Sequence, residues 1–243
     1  MTKGAMATLS AGVAVFGFDP EPGTPASRAL HVLTVKRTLP TGDLGPKERF
    51  TEAALRAASE AGIDLGGGRR AIRGGQRLHL VGVDDDPARA RSVTVWYYAA
   101  AQYGPVTGPG AWSATGRGLH LDAQGAPALR SALDRLRADT RQLAGAAALV
   151  GEVFTGDDLL RLHVALHGGP EGSERTFRRR IQELRDSGVL RPVRDTEVAA
   201  LRLRVPRFRS PAGTGGRPPE LLRYSGAGGE DEQLAALRAR RAG

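Results

Sequence analysis

Holding magnesium against a diphosphate takes several carboxylate oxygens converging on one point, and a helix supplies them when acids stand at i, i+3 and i+4. The stretch Gly42–Ile63, GDLGPKERFTEAALRAASEAGI, approaches that pattern and then leaves it. Glu48 precedes the helix, Arg56 lies within it, and Arg56 with Glu60 makes an i,i+4 pair. Positions 57, 60 and 61 read Ala, Glu and Ala. A single carboxylate is a poor cage for an ion that demands near-octahedral oxygen ligation. The expectation is therefore no catalytic residue, no resident metal or cofactor, and lost diphosphate cleavage. Alanines at 53, 54, 57, 58 and 61 equally suit any tightly packed helix.

A second constellation lies in SERTFRRRIQELRDSGVL. Phe177, Ile181 and Leu184 fall at i, i+4 and i+7, one buried stripe of a helix, with Ser173 as N-cap and Gly188 as a left-handed C-cap. The opposite face then carries Arg175, Thr176, Arg178, Arg179, Gln182 and Arg185. From Arg175 to Arg223 thirteen arginines face five acids, a net charge of +8. Such a face can reach phosphates and guanine edges of duplex DNA. Arg175, Thr176, Arg178, Arg179 and Gln182 are the candidate DNA contacts, with Arg217 in the later loop RFRSPAGTGGRPPE. A solvated basic face on a helical hairpin is the alternative, since charge runs are common surface features.

The elements that must position these groups follow from pattern. Val13–Phe18 and Leu30–Val35 are apolar, β-branched runs separated by DPEPGTPAS, hence a hairpin. A helix over Phe50–Ala61 and strands over Arg77–Val83 and Ser92–Ala100 come next, and a helix over about Pro127–Leu143 has Leu129, Leu133 and Leu136 at helical spacing. Thr155 and Asp158 form a capping-box pattern ahead of a helix lined by Leu159, Leu162 and Leu166. LRLRV alternates as a strand does, and RYS closes a second one. The order of helix, basic helix and hairpin is that of a winged helix-turn-helix. The expected fold class is α+β, with domains at 1–148 and 149–225 and a tail at 226–243.

Bulk properties narrow the function classes. The chain has 243 residues, no cysteine, and a net charge of +9 carried by 35 basic residues that are nearly all arginine. Disulfides, thiolate catalysis and Cys-containing zinc sites are excluded. A basic balance favours a polyanionic partner. The apolar run AGVAVFGF is far shorter than the roughly 20 residues of a spanning helix, and no basic leader with a cleavage site precedes it, so no membrane partner and cytoplasmic residence are expected.

Gly42, Glu48 and Arg56 reproduce the front spacing of the Nudix box, G-x5-E-x7-R-E-U-x-E-E-x-G-U, and LPTG at Leu39–Gly42 is similar to the LPGG that often precedes it. The match frays at Ala57 and Ala61, and Gly62 and Ile63 arrive one residue early. FTGDDLLRLHVALHG, RTFRRRIQELRDSGVL and GGRPPELLRY look like the helices and wing of a regulator. Together they resemble the Nudix-related transcriptional regulators of the NrtR kind, over about residues 10–224. The resemblance implies a Nudix-like α/β/α sandwich followed by a winged helix. It implies a dimeric repressor of an operator in NAD metabolism, released by a nucleotide effector such as ADP-ribose, or in relatives by a sugar. Arg37, Arg56 and Glu60 are the candidate contacts to a ligand diphosphate, with an ordinary surface arginine as the alternative for Arg37.

A working Nudix hydrolase of a nucleoside diphosphate derivative, with the winged helix as accessory, is the rival from another class. A module binding RNA or a protein is the third. His163 and His167 stand at i,i+4 without the acid or third ligand of a metal site, Asp84–Asp86 read as a strand-joining loop, and GGG at 66–68 lacks the Lys-Ser/Thr of a P-loop.

Overall fold

The computed structural model describes residues 8–21, 23–65, 78–86, 92–116, 118–141, 146, 149–169, 174–205 and 218–225. By their contacts the residues form two units, Met1–Phe18 with Leu30–Asp139, and Asp19–Ala29 with Thr140–Gly243. The division falls at Asp139 rather than at 148. The helix expected to run to about Leu143 spans Gly125–Asp139, and the loop of the first hairpin belongs to the second unit.

The first unit is built on a six-stranded mixed sheet. Its strands are β1 (Thr8–Phe18), β2 (Leu30–Thr34), β3 (Thr41–Asp43), β4 (His79–Asp86), β5 (Ser92–Ala100) and β6 (Ala111–Ala114). The order is β4-β5-β1-β2-β6, with β3 also paired to β1. β1 and β2 form the expected antiparallel hairpin, Phe16 opposite Val32 and Phe18 opposite Leu30. The parallel pairing of β1 with β5, from Thr8 opposite Ser92 to Phe16 opposite Ala100, joins strands far apart in sequence. The short strands β3 and β6 are additions to the elements expected. Asp84–Asp86 belong to β4 rather than to a loop, opposite Thr94, Val93 and Ser92.

Side chains alternate across a strand, so the sheet has two faces to cover. Helix α1 (Phe50–Glu60) covers one. Ala53, Ala54 and Ala58 pack there with Ala11, Val13, Val15, Val95, Tyr97 and Ala99. Helix α2 (Gly125–Asp139) buries Ala128, Leu129, Ala132 and Leu136. Tyr98 points to the face opposite Tyr97, and its hydroxyl donates to the carboxylate of Asp139 at the end of α2. Arg135 Nε donates to the same carboxylate at 3.2 Å, and His79 stacks on Tyr98 with ring centroids 4.6 Å apart. Burial, and then the bond to Asp139, raise the Tyr98 pKa above its ordinary value. Small residues let these layers close up. A Cβ added at Gly12 would stand 2.2 Å from the ring of Trp96.

The second unit contains helices α3 (Gly156–His167), α4 (Glu174–Asp186) and α5 (Asp195–Arg204), with strands β7 (Leu190–Pro192) and β8 (Leu222–Tyr224) paired antiparallel. The capping box opens α3 as its spelling dictates. The Asp158 amide donates to Thr155 Oγ1 at 3.1 Å, and the Thr155 amide to Asp158 Oδ2 at 2.8 Å. Gly168 ends α3 at φ 78°, and Gly188 follows α4 at φ 79°, conformations that glycine adopts without strain. Ser173, the expected cap of α4, lies outside the described residues. Along α4 only Leu184 is fully buried, with Phe177 and Ile181 half-buried beside it on the same stripe.

The segment LRLRV is not a strand. Leu201 and its neighbours to Arg204 finish α5, and the strand paired with β8 is β7. The reason lies in spacing. Val198, Leu201 and Val205 recur at i, i+3 and i+7 and pack against Val193 and Leu221, so helical periodicity over DTEVAALRLR outweighs a local alternation of two. Among the described residues no helix is long and apolar enough to cross a membrane.

Candidate functional site

The arginines of α1 and those of α4 stand in opposite surroundings. In α1, the loop after β3 brings Glu48 against Arg56. Arg56 Nε donates to Glu48 Oε1 and Nη2 to Glu48 Oε2, both at 2.9 Å, a fork-to-fork pair. Nη2 also donates to the Asp43 carbonyl at 2.7 Å, and Nη1 to Glu60 Oε1 at 3.2 Å. Glu48 Oε2 further accepts the Gly45 amide at 2.8 Å. The Arg56 hydrogen bonds first, and then the Gly45 amide, draw the Glu48 carboxyl down to about 2. The same bonds to Glu48, then those to Glu60, raise the pKa of the Arg56 guanidinium. The arrangement staples the loop to the helix.

Magnesium would have to be held by what remains. Ala57 is 3% exposed and Ala61 2% exposed, so the two positions that lack acids are closed against the interior of the unit. Glu60 faces outward and already accepts a hydrogen bond from Arg56. Among the described residues no group of three His, Cys, Asp or Glu side chains is arranged to hold a metal ion. The alanine face of Gly42–Ile63 is thus a packing surface.

The ligand candidates separate. Arg56 and Glu60 are joined, as spacing dictates. Arg37 is exposed in the turn between Val35 and Thr38, where its Nε donates to the His120 carbonyl at 3.4 Å. A different polar pattern governs α4, where Arg175, Thr176, Arg178, Arg179 and Gln182 are all exposed. Arg178 pairs with Glu174 at 2.6 Å and approaches Asp157 at 3.9 Å, while Arg179 pairs with Glu183 at 3.1 Å. Gln182 donates to Asp186 at 2.8 Å. The side chains of Arg178 and Arg179 nevertheless stay 68% and 81% exposed. The Arg178–Glu174 pair, exposed on both sides, is worth about 0.3–0.5 kcal/mol, little enough for a phosphate to displace it, whereas Glu183, the partner of Arg179, is 15% exposed. Arg217, with Arg207 and Arg209, lies outside the described residues.

Other basic residues of the segment are committed internally. Arg185 pairs with Glu220 at 2.8 Å, and Arg223 pairs with Glu197 at 3.1 Å and Glu152 at 3.5 Å. A count of arginines therefore overstates the free positive face. One residue carries no sequence signal at all. Arg161 on α3 donates to the carbonyls of Pro20, Glu21 and Thr24 at 2.6, 2.6 and 2.7 Å. Partners about 140 positions away leave no mark in spacing or periodicity.

No family model matches the chain, and no curated protein does. Solved structures do match its fold. The structure of Shewanella oneidensis NrtR complexed with a 27mer DNA is 20% identical, covers 89% of this chain and 93% of its own, and superposes with a TM-score of 0.63. A second structure of Shewanella oneidensis NrtR is also 20% identical over the same shares, with a TM-score of 0.60. A MutT/nudix family protein from Enterococcus faecalis is 13% identical, with 90% of this chain and 88% of that one covered and a TM-score of 0.60. The chain therefore has a mixed α+β architecture with the Nudix-like fold found in NrtR.

Proposed function

We propose that this chain, which shares the fold of NrtR, is a DNA-binding transcriptional repressor whose Nudix-like unit senses a nucleotide metabolite such as ADP-ribose rather than hydrolysing one. The observation that carries the reading is the exposed arginine face of α4. On this reading the second unit is a winged helix-turn-helix, α3 and α4 are its helix pair, and β7 and β8 belong to its wing. Arg175, Arg178 and Arg179 meet phosphates or guanine edges in the major groove, Thr176 and Gln182 add hydrogen bonds, and Arg217 reaches the backbone from the wing. A cytoplasmic homodimer on a two-fold operator completes the proposal. Arg37, Arg56 and Glu60 are the proposed surroundings of the effector's diphosphate, with Arg56 acting through the loop it holds.

Support comes from three directions. The NrtR structure of the same fold was solved with DNA. Arg178 is held by a weak surface pair that a phosphate can displace, and the side chain of Arg179 stays mostly open to water. Glu48 and Glu60, the one acid among positions 57, 60 and 61, are both paired with Arg56. Titration of the chain's own upstream DNA at several salt concentrations tests the reading. Affinity should fall with salt by a log-log slope of about 0.9 per phosphate contact; a salt-insensitive affinity would refute it. Incubation with ADP-ribose and magnesium tests the sensor half. No turnover is expected, and turnover abolished by Glu60→Gln would replace the repressor by the hydrolase.

A further inference from the structure

The segment Asp19–Ala29 connects β1 to β2 of the first unit yet is part of the second. Its two ends leave the sheet at a paired position, Phe18 opposite Leu30. The Asp19 amide then donates to the Ala29 carbonyl at 2.7 Å, closing the base of the segment. Asp19 is 8% exposed, and its carboxylate accepts the Glu21 amide at 3.0 Å and the Thr24 hydroxyl at 2.6 Å. Prolines at 20 and 25 restrict the chain further, since each fixes φ. A single 3-10 turn, Ala26–Arg28, completes it.

This internal order turns the carbonyls of Pro20, Glu21 and Thr24 toward one point, and the guanidinium of Arg161 occupies it. Arg161 stands on α3 beside the buried Leu159 and Leu162, so the helix that carries it is itself anchored. The three bonds are spread over two nitrogens of a planar fork, Nη1 to Pro20 and Nη2 to Glu21 and Thr24, whereas an ammonium offers its donors from one atom.

We propose that Asp19–Ala29 is a transmission strut, and that Arg161 is the positioning residue that couples it to α3. A displacement of β1 or β2 passes through covalent bonds into a stiffened loop, and from its carbonyls through one guanidinium into α3. The proposal goes beyond the repressor reading, because it concerns mechanical coupling whatever the two units bind. If that reading holds, the strut carries effector state to the helices of the DNA-binding unit.

The test is a double-mutant cycle read by amide hydrogen exchange on the full chain, with neither DNA nor effector present. Trp96→Phe loosens the contact between β5 and β1 at Gly12. With Arg161 intact, this variant is expected to speed exchange in both 19–29 and α3 by about fivefold or more. With Arg161→Ala in the background, the effect of Trp96→Phe should reach 19–29 and stop short of α3. Arg161→Lys, which keeps the charge and loses the fork, should behave like the alanine variant. An α3 response to Trp96→Phe that is equal with and without Arg161, or absent in both, overturns the proposal, as does full coupling in the Arg161→Lys variant, where charge alone remains. Should Trp96→Phe fail to fold, Val95→Ala, which trims a buried side chain of β5 opposite Ala11 of β1, serves as the perturbation. Failure of the chain to bind its upstream DNA would count against the repressor reading and leave the outcome of this cycle intact.

Discussion

Arg56 on α1 and Arg179 on α4 are the same residue type with an acid four positions later in each case, yet they are put to different uses. Arg56 is forked onto Glu48, bonded to a carbonyl, and lies over Gly42, so it is a brace. Arg179 touches one carboxylate and leaves most of its surface to water. An arginine's availability is set by how many acceptors surround it. A bidentate partner with a carbonyl holds the guanidinium in one geometry, while a single one-pronged contact leaves the other donors open to a phosphate.

The largest effect is expected at the alanine face. Ala57→Glu, which places an acid on that face, should destabilise the chain by several kcal/mol, because it buries an unpaired carboxylate where the alanine is 3% exposed. Denaturant unfolding measures this, and a variant that gained magnesium-dependent turnover with unchanged stability would refute the packing account.

Next in size is the α4 face. Arg178→Ala with Arg179→Ala should weaken DNA binding by about 1–3 kcal/mol for each arginine that reads a base, with the thermal midpoint nearly unmoved. Anisotropy titration and a melting curve check both halves. Retained affinity would mean that α4 is a solvated surface.

The brace supplies a smaller, pH-dependent effect. Glu48 has its pKa lowered from the ordinary 4.5 to about 2 in the folded chain. Its stabilisation is fully present above about 4.5 and is lost as pH falls toward 2. Glu48→Gln should lower the melting temperature at neutral pH and flatten the slope of stability between those values. An unchanged slope would show that the pair forms no better in the folded chain than outside it.

The smallest change is expected from Glu174→Gln, which releases Arg178 from its exposed partner. Stability should shift by less than about 0.5 kcal/mol, and DNA affinity should rise slightly or stay level. A large loss of stability would place Arg178 with the braces and erase the contrast.

Local features are legible in the sequence. The capping box at Thr155 and Asp158, the left-handed Gly188, the β1–β2 hairpin and the span of α1 each depend on residues a few positions apart, whose preferences act within one turn or one strand. The acceptors of Arg56 were half legible. Its i,i+4 partner Glu60 and the eight-residue spacing to Glu48 can be read, while the Asp43 carbonyl cannot. LRLRV misled because five residues satisfy a strand's alternation, and only the core formed by Val193 and Leu221 selects the helical reading of Val198, Leu201 and Val205.

By itself, the order of residues determined the periodic elements, the lack of thiol chemistry, the shortage of carboxylates on α1 and the surplus of arginine from 175 onward. Tertiary structure decided what those groups can do. It closed the alanines against a sheet, tied Arg185 and Arg223 to distant acids, set β1 parallel to β5, and assigned the hairpin loop to the unit of Arg161. The physical reason is range. Backbone propensity and capping act over a few bonds, whereas burial and ion pairing depend on which surfaces meet once the chain has folded back on itself.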